Sequence, residues 1–84
     1  MNLAPEKNLF AEITDFLSSA PSAEQILAFQ PSEALTERLH DLLDKNNSGE
    51  ISQTEREELE EFSRLNHFMR MLKGKTRLRL QGKE

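Results

Sequence analysis

Apolar residues recur along the N-terminal part of the chain at the spacing of a helix that is apolar on one side. The first group comprises Leu9, Phe10, Ile13, Phe16 and Leu17. Such intervals place the side chains on one face of a helix with 3.6 residues per turn. Proline suits the first turn of a helix. The pattern therefore predicts a first helix that begins near Pro5 and ends within residues 18–21.

Serine residues precede the next two predicted helices. Ser22 and Gln25 have the spacing of a capping box, which predicts a short helix that ends before Pro31, because the residue before a proline avoids helical angles. Ser32 is suited to cap a third helix. Four leucines place one apolar face on that helix, which we expect to end at about Asp44; they are Leu35, Leu39, Leu42 and Leu43.

A turn and a long helix complete the pattern. Residues 45–49, Lys-Asn-Asn-Ser-Gly, favour a loop, and Ser52 and Glu55 form a second capping-box pattern. The helix that begins there carries a near-heptad apolar stripe, namely Leu59, Phe62, Leu65, Met69 and Leu72. Gly74 is expected to stop it. The chain is therefore predicted to be all-α, a small domain of three to four helices with a helix–loop–helix hairpin and a long C-terminal helix.

Length and composition limit what such a chain can be. Its 84 residues suffice for one domain, which we place at residues 1–74, with a basic C-terminal tail at residues 75–84 that is either extended or a continuation of the helix. The absence of cysteine excludes disulfides and zinc–thiolate sites. The N-terminus lacks a basic region followed by an apolar run, and no long apolar stretch occurs, so we expect a cytoplasmic protein without a membrane partner.

The net charge of −4 is divided unevenly along the chain. Residues 1–63 carry 14 acidic and 4 basic side chains, whereas residues 64–84 carry 7 basic and 1 acidic. The basic tail is assigned to Lys73, Lys75, Arg77, Arg79 and Lys83. This division predicts that the basic end meets an anionic surface. Because the tail lacks an aromatic side chain to stack on bases and the acidic body would repel nucleic acid, docking on a protein is favoured over nucleic-acid binding.

Residues 44–55 read Asp-Lys-Asn-Asn-Ser-Gly-Glu-Ile-Ser-Gln-Thr-Glu and resemble the calcium-binding loop of an EF-hand, which needs oxygen ligands at fixed positions and a glycine at its sixth. The ligands that the resemblance implies are Asp44, Asn46, Ser48, the carbonyl of Glu50, Ser52 and Glu55. The same residues also fit a turn that binds no metal, since Ser52 and Glu55 can cap the following helix and Gly49 permits the reversal of the chain. The metal-free turn, with no cofactor, is the favoured interpretation, and calcium is the alternative.

The segment from Ile26 to Leu72 is similar to a family of short uncharacterised bacterial proteins that is common in cyanobacteria. The resemblance lies in the Pro-Ser-Glu start at residues 31–33, a leucine-rich helix, a Lys-Asn loop with a glycine, and a helix that opens Ser-x-x-Glu. It implies a helical hairpin in a small accessory protein of a regulatory or antitoxin-like kind.

No group of side chains in the sequence predicts catalysis. His40 and His67 lack a second ligand at zinc-site spacing, and three isolated glycines make no phosphate-binding loop. We therefore predict a non-enzymatic protein–protein interaction module that binds a protein partner or a second copy. The last apolar stripe is longer than residues 33–44 can cover, so either the first helix or a second copy must cover the rest. The predicted contact surface is Phe62, Leu65, Phe68, Met69 and Leu72.

Overall fold

Four helices make up the fold. The computed structural model describes residues 7–82, which form α1 (Leu9–Ser18), α2 (Ala23–Ala28), α3 (Glu33–Ser48) and α4 (Gln53–Leu80), with no strand in that range. The all-α prediction is therefore confirmed. Helix α4 has 28 residues and is about 42 Å long at 1.5 Å per residue. Helices α1, α2 and α3 each pack against it.

Helix α1 begins later than the sequence pattern predicts. The Asn8 side chain accepts a hydrogen bond from the Ala11 N–H at 2.8 Å, and the Asn8 backbone is extended. Asparagine is a strong N-cap residue, so the helix begins at the following residue, Leu9. Pro5, where the start was predicted, lies outside the described residues. The predicted end is confirmed, because α1 stops at Ser18.

The three predicted serine caps are present. Ser22 and Gln25 form a complete capping box, and so do Ser52 and Glu55. The Ser32 hydroxyl accepts a hydrogen bond from the backbone N–H of the third residue of α3, at 3.3 Å. Each cap satisfies backbone donors that a helix leaves without a partner at its N-terminus, which fixes where α2, α3 and α4 begin.

Helix α3 extends one turn beyond its predicted end at Asp44. Residues 45–48, predicted as a loop, are helical, and the chain reverses only at Gly49, whose φ of 78° is left-handed. The Gly49 N–H donates to the Asn46 carbonyl at 3.3 Å and the Glu50 N–H to the Lys45 carbonyl at 2.9 Å. This is a Schellman motif, which satisfies the last carbonyls of a helix and requires only one left-handed residue.

The prediction that Gly74 stops the last helix is wrong. Helix α4 continues through it to Leu80, and the left-handed glycine is Gly82, with a φ of 70°. Met69 and Thr76 are buried on either side of Gly74, so packing holds this part helical although glycine disfavours a helix interior by about 1 kcal/mol. The predicted boundary between residues 1–74 and 75–84 therefore falls inside α4, and residues 75–80 are a continuation of the helix.

The core lies between α4 and the other three helices. Its buried side chains are Leu9, Ile13, Leu35, Leu42, Phe62 and Met69. Leu39 packs against this core as predicted, whereas Leu43 is 41% exposed. Adjacent residues differ by about 100° around a helix; because Leu42 takes the core position, Leu43 turns outward.

Polar contacts fix where α2 and α3 lie along α4. Arg38 donates to both carboxylate oxygens of Glu58, at 2.9 and 2.8 Å, which holds α3 against the N-terminal half of α4. The Lys73 ammonium donates to the Phe29 carbonyl at 2.9 Å, which holds the end of α2 against the C-terminal half. No helix among residues 7–82 is long and apolar enough to cross a membrane.

Candidate interaction surface

The segment that resembles a calcium loop forms the end of one helix and the cap of the next. Asp44, Asn46 and Ser48 lie in the last turns of α3. Because side chains rotate by about 100° per residue in a helix, the Asn46 side chain points away from the other two. The Ser48 hydroxyl donates back to the Lys45 carbonyl at 3.2 Å. An EF-hand loop instead holds these positions around one cation.

The Glu55 carboxylate is held by protein donors on both oxygens. Its Oε2 accepts from the Lys45 ammonium at 2.5 Å, and its Oε1 accepts from the Ser52 N–H at 3.0 Å. These hydrogen bonds lower the pKa of Glu55 to about 2, and the one from Lys45 has the largest effect. Glu55 therefore joins the end of α3 to the start of α4 as an ion pair.

The remaining implied calcium ligands do not complete a site in this conformation. The Glu50 N–H closes the Schellman motif, and the Ser52 hydroxyl accepts from the Glu55 N–H at 3.1 Å. Among residues 7–82, no three histidine, cysteine or carboxylate side chains are grouped to hold a metal ion. This conformation of residues 44–55 therefore differs from an EF-hand loop, and both the metal-free prediction and the calcium alternative remain to be tested.

Most of the predicted contact surface belongs to the core. Phe62 and Met69 are buried, and Leu65 and Leu72 are half-buried against them. Phe68 alone among the five predicted residues is exposed. The prediction of this surface needs correction because helical periodicity identifies a buried face without showing what buries it. Helices α1 and α2 cover the part of the stripe that α3 does not reach.

A different face of α4 carries exposed apolar side chains. Phe68, Met71 and Leu78 are 47%, 53% and 46% exposed. Their spacings of 3 and 7 residues place them within an arc of about 80° around the helix, on a side that α1, α2 and α3 leave uncovered. Together with Lys75, which lies within the same arc and is exposed, these residues are called the α4 face.

Sequence reasoning missed Met71 and Leu78 as parts of this surface. The signal was present, because the intervals from Phe68 to Met71, Lys75 and Leu78 are 3, 4 and 3 residues, a second helical stripe beside the core stripe. The expected helix stop at Gly74 concealed this second stripe, because it assigned Phe68 and Met71 to the helix and Lys75 and Leu78 to the tail.

Charge divides α4 into two halves. Residues 53–63 contain five glutamates and one arginine, whereas residues 64–82 contain six basic side chains and no acidic one. The order suits the helix macrodipole, which favours anions at the N-terminus and cations at the C-terminus. Of the predicted basic tail, Lys73 is bonded to the Phe29 carbonyl, Lys75, Arg77 and Arg79 are exposed on the last turns of α4, and Lys83 lies outside the described residues.

A cleft of about 450 Å³ opens beside α4. Apolar groups from Leu9, Phe29 and Met69 line it together with the cations of Arg70 and Lys73. Its lining holds one hydroxyl, Ser63, and neither a histidine nor a carboxylate.

Comparison of the chain with protein-family models, curated proteins and solved structures found no match, so the resemblance to short bacterial proteins stays a prediction.

Proposed function

We propose that this chain is a non-enzymatic protein–protein interaction module that binds its partner through the α4 face. One observation carries the proposal: Phe68, Met71 and Leu78 are each about half exposed on one uncovered side of a helix. Isolated apolar side chains are normal on a protein surface, whereas a contiguous group marks an interaction site. Moving a side chain of this size from full exposure to full burial contributes about 1.5–3 kcal/mol, so covering the exposed half of each contributes roughly half of that.

The charges around the α4 face define the chemistry of the partner. Lys75 lies within the face, and Arg64 and Arg79 lie at its margins. Apolar contacts supply most of the affinity of an interface, and complementary charges set its orientation and association rate. The partner surface is therefore apolar at its centre and acidic around it. An amphipathic helix docking in a groove or on another helix uses this arrangement.

Photo-crosslinking tests the proposal. A photoreactive amino acid replaces Met71 in one variant and the exposed Glu37 of α3 in a control variant, and both are irradiated in an extract of the cell of origin. We expect position 71, and not position 37, to crosslink to one identified protein. The purified partner should bind the wild-type chain and lose at least about tenfold in affinity for the double variant Phe68→Ser, Met71→Ser.

Leu43→Ser is the matched control for binding, because Leu43 is an exposed leucine on α3, outside the α4 face. It should bind like the wild type. Two results would overturn the proposal. One is equal crosslinking from positions 71 and 37. The other is salt-sensitive retention on DNA, RNA or anionic vesicles that Lys75→Glu abolishes and Phe68→Ser leaves unchanged, since that pattern belongs to phosphate binding.

A further inference from the structure

The geometry of α4 points to a second copy of this chain as the occupant of the α4 face, and we propose that two copies pair antiparallel along α4 with both Phe68 side chains at the two-fold axis. This inference rests on the proposed function and names its partner. It follows from the order of residues along one narrow line of the helix.

Seven residues of α4 form a line that is symmetrical about Phe68. Positions 57, 61, 64, 68, 72, 75 and 79 are separated by 4, 3, 4, 4, 3 and 4 residues. Intervals of three and four residues keep side chains on one side of a helix, and these seven fall within an arc of about 80°. Six are exposed, and Leu72 is half-buried. We call this line the α4 seam.

The charges of the α4 seam complement themselves when the line is reversed. In an antiparallel pair, residues equally far before and after Phe68 face each other. Glu61 then faces Lys75 of the second copy, and Glu57 faces Arg79 of the second copy. A two-fold axis repeats each contact, so four ion pairs form. Parallel pairing would instead place glutamate on glutamate and lysine on lysine, which like-charge repulsion disfavours.

The centre of the α4 seam is apolar. Phe68 meets Phe68 of the second copy at the two-fold axis, and Leu72 is the other apolar member of the α4 seam. The exposed half of Phe68 thus gains an apolar neighbour. The aliphatic stem of Arg64 lies against Leu72 of the second copy, as long basic side chains often do.

The contacts that hold the other helices to α4 lie away from the α4 seam. Helix α3 is held to α4 through Glu55 and Glu58, and α2 through Lys73, all on other sides of the helix. Within the α4 seam, Arg64 donates to Glu61 at 2.9 Å, and both side chains are exposed. The Glu61 carboxylate has room for Lys75 of the second copy beside Arg64.

Charge exchange between copies tests the pairing. Sedimentation equilibrium should show a dimer for the wild type, and Lys75→Glu and Glu61→Lys should each weaken dimerisation by about tenfold or more, because every ion pair at these positions becomes a repulsion. A mixture of the two variants should form a heterodimer with wild-type affinity, because positions 61 and 75 then carry opposite charges wherever they face each other. The double variant should dimerise like the wild type.

Cysteine crosslinking tests the register. The chain contains no cysteine, so one introduced cysteine reports on one position. Phe68→Cys should give a disulfide-linked dimer on oxidation. Lys75→Cys alone should not, because in the antiparallel pair its two copies are about 21 Å apart along the axis, beyond the reach of a disulfide. A mixture of Glu61→Cys and Lys75→Cys should crosslink. Self-crosslinking of Lys75→Cys would overturn the antiparallel register.

A monomer at all concentrations up to about 1 mM, with no heterodimer in the charge-exchange mixture, would overturn the second-copy proposal. If the photo-crosslink at position 71 then identified a different protein, the proposed function would stand with another partner. If neither a second copy nor another protein were captured there, both proposals would fail. Circular dichroism of each variant establishes that the helices are retained, so loss of folding cannot imitate loss of pairing.

Discussion

The Lys45 ammonium lies 2.5 Å from Oε2 of Glu55, and this contact closes the turn between α3 and α4. The other carboxylate oxygen of Glu55 accepts the Ser52 N–H. One side chain thus caps the start of α4 and anchors the end of α3, whose final turn carries Lys45. The hairpin depends on this junction, because α3 packs against the half of α4 that begins there.

The first prediction concerns pH. The folded-state pKa of Glu55 is about 2, against an ordinary value of 4.5. A lowered folded-state pKa means that the ionised side chain stabilises the fold fully above about pH 4.5 and that this contribution is lost as the pH falls towards 2. Glu55→Gln keeps a capping side chain and removes the charge. We expect it to be less stable than the wild type at neutral pH and equally stable near pH 2.

Urea denaturation between about pH 2 and pH 7 measures this difference. The exposed Glu37 of α3 provides the control, and Glu37→Gln should change stability little at any pH in the range. A deficit of Glu55→Gln that is the same at both ends of the range would contradict the assignment of the low pKa to Glu55.

The second prediction concerns calcium. Binding by residues 44–55 would require the last turn of α3 to unwind and Lys45 to release Glu55, since Asp44 and Asn46 point in different directions in the helix. We expect no saturable heat on titration with calcium up to about 1 mM, the range of weak extracellular calcium modules. Saturable heat in the wild type that is absent from Glu55→Gln would establish the calcium alternative instead.

The third prediction compares two glycines. Gly74 is helical, and a β-carbon there would meet nothing within 4 Å beyond its own stretch of helix. Gly74→Ala should therefore stabilise the fold by about 0.5–1 kcal/mol, raising the melting temperature by about 2–8 °C. Gly49 has a φ of 78°, so Gly49→Ala should destabilise it by about 1–2 kcal/mol. Calorimetry measures whether each substitution raises or lowers the stability of the fold. A Gly74→Ala variant that is less stable than the wild type would contradict a continuous helix through residue 74.

The fourth prediction compares two neighbouring leucines. Leu42 is 0% exposed and Leu43 is 41% exposed. Leu42→Ala leaves a cavity in the core and should cost about 2–5 kcal/mol of unfolding free energy, whereas Leu43→Ala should cost less than about 1 kcal/mol. Urea denaturation of both variants measures the difference. Equal costs would show that the orientation of α3 on α4 is wrong.

Local signals in the sequence predicted where helices begin better than where they end. Ser22, Ser32 and Ser52 place the starts of α2, α3 and α4, because a cap depends on side chains within three residues. The ends depend on distant packing. Gly74 passes as an ordinary helical residue because Met69 and Thr76 are buried around it, and residues 45–48 remain helical because Gly49 alone makes the reversal.

The same reason explains the error in the predicted contact surface. The stripe that contains Phe62 and Met69 was correctly identified as apolar. Its coverage depends on how α1 and α2 fold back over α4, which no interval along the sequence specifies. Phe68 lies close to that stripe on the helix, so the periodicity of the sequence groups it with the core residues. Its exposure in the structure instead assigns Phe68 to the α4 face, together with Met71 and Leu78.

Helices α1, α2 and α3 each pack against α4, so α4 is the one helix that the other three share. Detachment of α1 and α2 would bare the C-terminal half of α4 while the Arg38–Glu58 and Lys45–Glu55 contacts still hold α3. The C-terminal half of α4 should therefore open before the α3–α4 hairpin does. Amide hydrogens around Met69 and Thr76 are expected to exchange with solvent at a lower free energy of opening than those around Leu42 and Phe62. The amides around Leu42 and Phe62 should exchange only when the whole chain unfolds.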